Sequence, residues 1–140
     1  MEKQKLLDDI AGYELLKFLG VKVELISAER VVLSMEVTSR VHQYIGIMNG
    51  GVSLLLSETA ASTGAVAAAD LTKVAPVGIE INANHLRAVS KGIITVEAKP
   101  LYPGRTLNVW GVEITDERGR LVCVSRCTIL LQKRPAIPER

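Results

Sequence analysis

Glu58 is the only charged residue in a run of twenty residues, GGVSLLLSETAASTGAVAAA, at positions 50–69. A carboxylate placed midway along a helix of this composition is costly unless it is paired, hydrogen-bonded or open to a cleft. No Lys, Arg or His lies three or four residues away to pair with it along the helix. Glu58 is therefore either a surface residue or the partner of a distant Arg, or it is a base or nucleophile in a cleft. If Glu58 is a base or nucleophile in a cleft, Ser62, one turn further on the same face, would hold a water or a substrate oxygen.

The tripeptide Asn49-Gly50-Gly51 opens the same helix. The first turn of a helix presents backbone N–H groups without partners inside the helix, and glycine lets a ligand approach them closely. Such a helix start suits a phosphate or a developing oxyanion. The same tripeptide is also typical of a plain N-cap with a flexible entry. In combination with Glu58, it favours acyl transfer.

The spacing of these two features predicts how a site would be assembled. Gly51 and Glu58 are seven residues apart, which is about 10 Å along a helix axis. A carboxylate has to come within about 3.5 Å of the carbonyl carbon on which it acts. One chain cannot easily supply both groups to one carbonyl. We therefore expect a site shared between two subunits, with the helix start from one and Glu58 from the other.

Periodicity along the rest of the chain predicts the elements that position these residues. Apolar residues at loosely helical spacing predict a short amphipathic helix over 6–19, in an N-terminal segment 1–20 that stops at Gly20. Alternation with period two predicts a hairpin over 21–37 that turns at 28–30, and further strands over 77–86, 92–100, 106–115 and 121–131. The short connections between strands require antiparallel pairing. The expected fold is α+β, with an antiparallel sheet of about six strands curled round the buried helix at 50–69.

Length and composition limit the class of protein. The 140 residues are expected to form one domain over 1–140, with a flexible, proline-containing tail at 133–140. A net charge of +2 and 4% aromatic residues provide neither a basic face nor stacking platforms for nucleic acid. The helix at 50–69 has nearly the length of a membrane span, but Glu58 and the many Ser and Thr residues argue against one.

Two further patterns concern the compartment and metal binding. Asp8 and Asp9 interrupt the N-terminal apolar residues, so no signal peptide develops and the chain is expected in the cytoplasm. Cys123 and Cys127 would lie about 13 Å apart in a strand, too far for a disulfide and without the spacing of a zinc site. They are interpreted as buried or half-buried free thiols, and no metal is expected.

Three stretches carry a recognisable pattern: HQYIGIMNGGVSLLLSETAAS, VGIEINANHLRAVSKG and AKPLYPGRTLNVWGVEITDERGRLVCVSRCTILL. Together they resemble the hotdog-fold acyl-CoA thioesterases, in the branch of the phenylacetate-pathway and Arthrobacter-type 4-hydroxybenzoyl-CoA enzymes. The similarity is greatest to small bacterial members that act on aromatic acyl-CoAs, including 1,4-dihydroxy-2-naphthoyl-CoA, and it runs from about Val21 to Leu131. It implies a helix wrapped by an antiparallel sheet, dimers with two sites across the interface, and commonly a homotetramer built from two dimers.

The resemblance also assigns roles by position. Glu58 matches the catalytic carboxylate and Ser62 the hydroxyl that positions water. Gly51 matches the backbone donor that polarises the thioester carbonyl, and Gln43 matches a polar residue near that carbonyl. Many close relatives have His where this chain has Asn49, which can form hydrogen bonds but cannot exchange a proton near neutral pH.

Coenzyme A is implied as part of the substrate, and no cofactor is expected. Two segments match those that contact coenzyme A in similar proteins, and their two arginines could pair with its phosphates. The segments comprise His85, Leu86, Arg87, Ala88, Tyr102, Pro103, Gly104, Arg105, Thr106 and Leu107.

The function expected from these features is hydrolysis of an aromatic or medium-chain acyl-CoA, with Glu58 as nucleophile or general base. One alternative is a hotdog hydratase or dehydratase, which needs a His paired with an acid and is disfavoured by Asn49. The other is a noncatalytic acyl-CoA binding module, in which Glu58 is only structural. The expected partners are the acyl-CoA and further copies of the chain.

Overall fold

The N-terminal segment folds as two helices. In the computed structural model, which describes residues 2–134, α1 spans Glu2–Gly12 and α2 spans Glu14–Leu19. The continuous helix predicted over 6–19 is therefore wrong, because the backbone is extended at Tyr13 (φ −73°, ψ 155°). Gly12 is a poor helix former, and the break allows Leu16 of α2 to point into the core, where it is fully buried. The predicted stop at Gly20 is confirmed, since this residue ends α2 with φ 74°.

Six strands follow and form one sheet in the order β1-β2-β4-β5-β6-β3, with every neighbouring pair antiparallel. Their bounds are β1 Val21–Ile26, β2 Val31–Glu36, β3 Val74–His85, β4 Ile93–Pro103, β5 Leu107–Thr115 and β6 Leu121–Lys133. The predicted α+β class and sheet of about six antiparallel strands are confirmed. Strands β1 and β3 form the two edges of the sheet.

The long helix α3, Gly50–Ala68, enters after β2 and packs on the inner face of all six strands. A helix that is apolar on nearly all sides needs such a covering. At Gly64 the indole ring of the buried Trp110 lies so close to the helix that any side chain there would overlap it. The sheet thus wraps α3 as the sequence predicts. Across residues 2–134, no helix combines the length and apolar character that crossing a bilayer requires.

Two polar contacts hold the N-terminal helices against this core. Lys3 Nζ of α1 donates to the carbonyl oxygen of Ala69, just beyond α3, at 3.2 Å. Arg40 donates to the carbonyl oxygen of Phe18 in α2 at 2.8 Å, and its guanidinium stands 5.2 Å from the centre of the Phe18 ring. The corner between α1 and α2, at Tyr13, lies between these two attachments.

The tail predicted at 133–140 lies mostly outside the described residues. Lys133 is the last residue of β6 and pairs with Val74 of β3. The N–H of Arg134 donates to the carbonyl oxygen of Lys73 at 3.0 Å. These two residues therefore belong to the folded domain, which contradicts the prediction of a flexible tail at its first two positions.

Candidate active site

Glu58 is half-buried on the side of α3 that faces the edge strand β3. Its carboxyl group lies against Gly78, where an added Cβ would overlap Oε1 and would stand 3.4 Å from the carboxyl carbon. The alternative of a carboxylate paired with a distant Arg is not found, because no ion pair within residues 2–134 involves Glu58. Gly78 was not singled out from the sequence. An isolated glycine inside a strand pattern is nevertheless a known signal of close backbone approach.

A cavity of about 320 Å³ opens beside Glu58, and we call it the Glu58 cavity. Glu58 and Ser62 lie one helical turn apart on its wall, as the sequence predicts. The other lining residues are mostly apolar or carry hydroxyl groups: Ile10, Tyr13, Leu55, Thr59, Thr63 and Val66. A carboxylate next to a hydroxyl on an otherwise largely apolar wall can hold a water molecule and take a proton from it.

The start of α3 is capped by its own asparagine. Asn49 is the N-cap, and its Oδ1 accepts the N–H of the exposed Gly51 at 2.7 Å. The plain N-cap interpretation is therefore correct for Asn49 in this structure. The Gly51 N–H that was predicted to hold an oxyanion is occupied by the cap, so an oxyanion would have to take the place of Asn49 Oδ1.

A second cavity, of about 380 Å³, lies at this end of α3, and we call it the helix-start cavity. It is lined by residues of the loop before α3, the first turn of α3 and the segment after β3: Gln43, Ile47, Met48, Gly50, Ser53, His85, Leu86, Arg87, Ala88, Val89 and Val122. Gly50 makes room for the His85 ring, because an added Cβ would lie 2.9 Å from Nε2. Gln43 Oε1 accepts the N–H of Ile45 at 2.8 Å, which leaves the side-chain NH₂ group for a ligand. The predicted positions Gln43 and 85–88 are thus brought together.

The other predicted coenzyme A segment, 102–107, lies far from this cavity in the same chain. His85 is paired with Cys123 of β6, whereas Leu107 is paired with Leu130. Those two positions are seven steps apart along strand β6, a distance of about 23 Å. One chain therefore does not combine the two segments into a single binding site.

The Glu58 cavity and the helix-start cavity share no lining residue. Glu58 and Ser62 line the Glu58 cavity. Gln43 and Gly50, the residue before Gly51, line the helix-start cavity. The structure therefore separates the predicted carboxylate from the predicted oxyanion site within one chain, as the seven-residue spacing requires.

The two cysteines, Cys123 and Cys127, are free and buried on the inner face of β6. Burial, together with the nearby carboxylates of Glu58 and Glu80, raises the pKa of the Cys127 thiol to about 12. This thiol remains protonated at neutral pH and is not a nucleophile. In the described part of the chain, no three His, Cys, Asp or Glu side chains approach closely enough to hold a metal ion.

The antiparallel sheet wrapped round α3 is the fold of a known class of protein, as comparison with other proteins shows. Residues 45–123 match the thioesterase superfamily. A thioesterase from Pseudomonas aeruginosa, solved as a single mutant, superposes with a TM-score of 0.86 at 31% identity over 93% of this chain and 94% of that one. A hypothetical protein from Staphylococcus aureus gives a TM-score of 0.83 at 34% identity over 86% of this chain and 100% of that one.

Sequence relatives agree with this class. ComA2 of Bacillus subtilis, described as a candidate esterase, is 45% identical over 122 residues, which are 87% of this chain and 97% of that protein. A 1,4-dihydroxy-2-naphthoyl-CoA hydrolase of Listeria monocytogenes is 40% identical over 116 residues, or 83% of this chain and 94% of that protein. The chain belongs to the thioesterase superfamily. The expected hotdog fold and thioester-hydrolase class are thereby confirmed.

Proposed function

We propose that this protein hydrolyses the thioester of an aromatic or medium-chain acyl-CoA, with Glu58 as the group that acts at the carbonyl. The observation that carries the proposal is the half-buried Glu58 carboxylate, which shares a cavity with Ser62 and is unpaired within residues 2–134. The Listeria relative bears the name of a hydrolase of 1,4-dihydroxy-2-naphthoyl-CoA, an aromatic acyl-CoA. This name supports an aromatic acyl group in preference to a fatty one.

Two routes are open to Glu58, and both give the free acid and coenzyme A. As a general base, it takes a proton from a water held by Ser62 while the water oxygen bonds to the carbonyl carbon. As a nucleophile, it forms a mixed anhydride that water then cleaves. In both routes the sulfur of coenzyme A leaves and takes up a proton. The negative charge on the carbonyl oxygen is held by the Gly51 N–H in place of Asn49 Oδ1.

A comparison of spacing supports the pairing of Gln43 with Glu58. The Staphylococcus aureus protein was crystallised with a glutamate replaced by alanine and, separately, with a glutamine replaced by alanine. Those two positions are fifteen residues apart, the same number that separates Gln43 from Glu58 here.

The site is proposed to lie between two subunits that meet through strand β3. This strand has one unpaired edge within the described chain, and Val77 and Ile79 on it are exposed. An unpaired, apolar strand edge is suited to pairing with a second copy about a two-fold axis. With the axis between Ile81 and Asn82, Gly78 of one chain would face the partner's His85. Glu58 would then approach the helix-start cavity of the partner subunit.

Two wider expectations also remain proposals. The first is the assembly of two dimers into a homotetramer, which the resemblance to the family implies. The second is the location in the cytoplasm. Light scattering during size-exclusion chromatography, compared with the chain mass of 15.2 kDa, measures the first directly.

The test of the proposed function is thiol release from benzoyl-CoA, 1,4-dihydroxy-2-naphthoyl-CoA and octanoyl-CoA. Glu58→Gln should lower turnover at least about 100-fold, the scale of a lost general base or nucleophile. Ser62→Ala should cost less, because a water can partly replace its hydrogen bond. Glu113→Gln is the control, since this exposed carboxylate lies in β5, away from the free edge of β3, and lines neither cavity.

Three experimental outcomes would contradict the proposed function. Full turnover by Glu58→Gln would remove this residue from the mechanism. Binding of acyl-CoA without thiol release would indicate a noncatalytic module. Formation of a hydrated acyl-CoA from an unsaturated one would indicate a hydratase.

A further inference from the structure

The Glu58 cavity has two walls of different origin. One wall is a single face of α3, on which Leu55, Glu58, Ser62 and Val66 recur at three- and four-residue intervals. The opposite wall consists of Ile10 and Tyr13 alone, at the corner between α1 and α2. No residue of the sheet lines this cavity. Without the N-terminal helices, the cavity would be an open trough along α3.

The corner that forms the second wall is held from both sides. Lys3 attaches α1 beyond the end of α3, as described above. On the other side, Leu16 of α2 is fully buried in the core, and Arg40 holds the backbone of Phe18. Tyr13 lies between these attachments, so the position of its backbone relative to α3 is set by the fold.

The space between the walls is small, and it is open to solvent on its remaining sides. Cavities that bind small molecules are about 300 to 1,000 Å³, and the Glu58 cavity is about 320 Å³. A ring system or a short chain fits such a volume, whereas a long acyl chain has to pass the corner. Tyr13 is 38% exposed, so a chain that passed its ring would reach solvent.

We infer that Ile10 and Tyr13 form the end wall of the acyl pocket and restrict this enzyme to compact acyl groups. The inference rests on the proposed function, because it takes the Glu58 cavity as the place where the acyl group binds. It assigns a specificity role to the N-terminal helices, whose sequence by itself indicates only an amphipathic segment. The side chains that select the acyl group are then separate from those that act on the thioester.

The test uses two coenzyme A thioethers that cannot be hydrolysed, phenacyl-CoA and 2-oxododecyl-CoA. Both keep a ketone near the position of the thioester carbonyl, and they differ in the size of the group beyond it. Dissociation constants are measured by calorimetry for the wild type, Tyr13→Ala and Leu15→Ala. Leu15 is the matched control, because it is a large, exposed apolar residue of α2 that does not line the cavity.

Tyr13→Ala should change the ratio of the two dissociation constants at least about tenfold in favour of the dodecyl compound, since one or two methylene contacts already account for that much. Leu15→Ala should leave the ratio unchanged. Ile10→Trp is a second variant, which fills the cavity from the same wall and should weaken both compounds about tenfold or more. Circular dichroism confirms that each variant is folded.

The inference is overturned if the ratio is the same in the wild type and Tyr13→Ala, or if neither compound binds the wild type. Thiol release by the wild type is measured separately. Absence of thiol release would reject the proposed function while the binding ratio still decides whether the wall exists. Normal thiol release with an unchanged ratio would keep the proposed function and reject the wall.

Discussion

The carboxyl group of Glu58 lies against the α-carbon of Gly78. The middle of α3 and the edge strand β3 therefore come into contact at a position of β3 where any side chain would overlap the carboxyl group. The register of β3 with β6 shifts immediately after Gly78, at a bulge between Gly78 and Glu80. Bulges of this kind re-aim side chains near active sites. The absence of a side chain at position 78 thus leaves the space that the Glu58 carboxylate occupies.

Replacement of Gly78 by Ala tests this relationship. The backbone at this position does not have a positive φ, so alanine is sterically allowed there apart from its contact with Glu58. The added methyl group should displace the carboxylate and lower kcat about 10- to 100-fold, because a shift of about 1 Å can have that effect. KM and the melting temperature should change little.

Gly111→Ala is the control for this variant. Gly111 is also inside a strand, but its added Cβ would meet only the flexible end of Leu101, at 3.2 Å. Its kcat should stay near the wild-type value. Wild-type kcat in Gly78→Ala would show that Glu58 does not need its observed position.

The elements that follow a clear period were predictable from the sequence. Strict alternation identified the strands, and the uncharged run at 50–69 identified the buried helix and its one carboxylate. The helical period also placed Glu58 and Ser62 on one face, where both line the same cavity. The break at Tyr13 was not predictable, because loosely spaced apolar residues do not show that α1 packs on α3 while Leu16 enters the core.

The contacts between helices and strands were harder to predict from the sequence. Strand register depends on cross-strand packing, so the sequence could not show that the segments 85–88 and 102–107 lie at opposite ends of the sheet. A plain N-cap at Asn49 was one of two interpretations of the same tripeptide, the other being an oxyanion site. Only the 2.7 Å hydrogen bond from the Gly51 N–H to Asn49 Oδ1 shows that the cap forms. Ile10 and Tyr13 carry no local signal of a pocket wall, since their role arises from tertiary packing.

Asn49→Asp tests whether the start of α3 holds an oxyanion. Aspartate caps helices as well as asparagine does, so the melting temperature should be retained. Its negative charge would hold the Gly51 N–H more strongly and repel a developing oxyanion, and kcat should fall at least about tenfold. Unchanged turnover at saturating acyl-CoA would argue that the carbonyl oxygen is bound elsewhere.

Co-expression of two inactive variants tests the shared site. Glu58→Ala and Gly51→Val chains with different affinity tags are purified together as hybrids through both tags. In a hybrid dimer one site carries both defects and the other carries neither, so activity should return, up to about half of the wild-type value. Each variant alone should remain inactive. If cross-linking at the edge of β3 shows that both variants share one dimer and the hybrid is still as inactive as its parents, each chain contains its own complete site.

The two arginines predicted to bind coenzyme A provide the last test, because the structure places them at opposite ends of one chain. Arg87 is exposed at the helix-start cavity, and Arg105 is exposed in the turn between β4 and β5. If both hold phosphates of the same molecule, they do so from two subunits. Arg87→Ala and Arg105→Ala should then each raise KM for acyl-CoA while kcat changes less, since phosphate contacts are similar in the ground and transition states.

Salt and substrate length make this prediction specific. The effect of each variant on KM should shrink as salt is added, because exposed charges are screened over about 8 to 10 Å at physiological ionic strength. A short thioester without the nucleotide should be hydrolysed poorly, and equally so by the wild type and both variants. Arg126→Ala, on the outer face of the sheet, is the control and should retain the wild-type KM. Wild-type KM for acyl-CoA in both Arg87→Ala and Arg105→Ala would place the nucleotide elsewhere, and an effect of Arg87→Ala alone would confine it to the helix-start cavity.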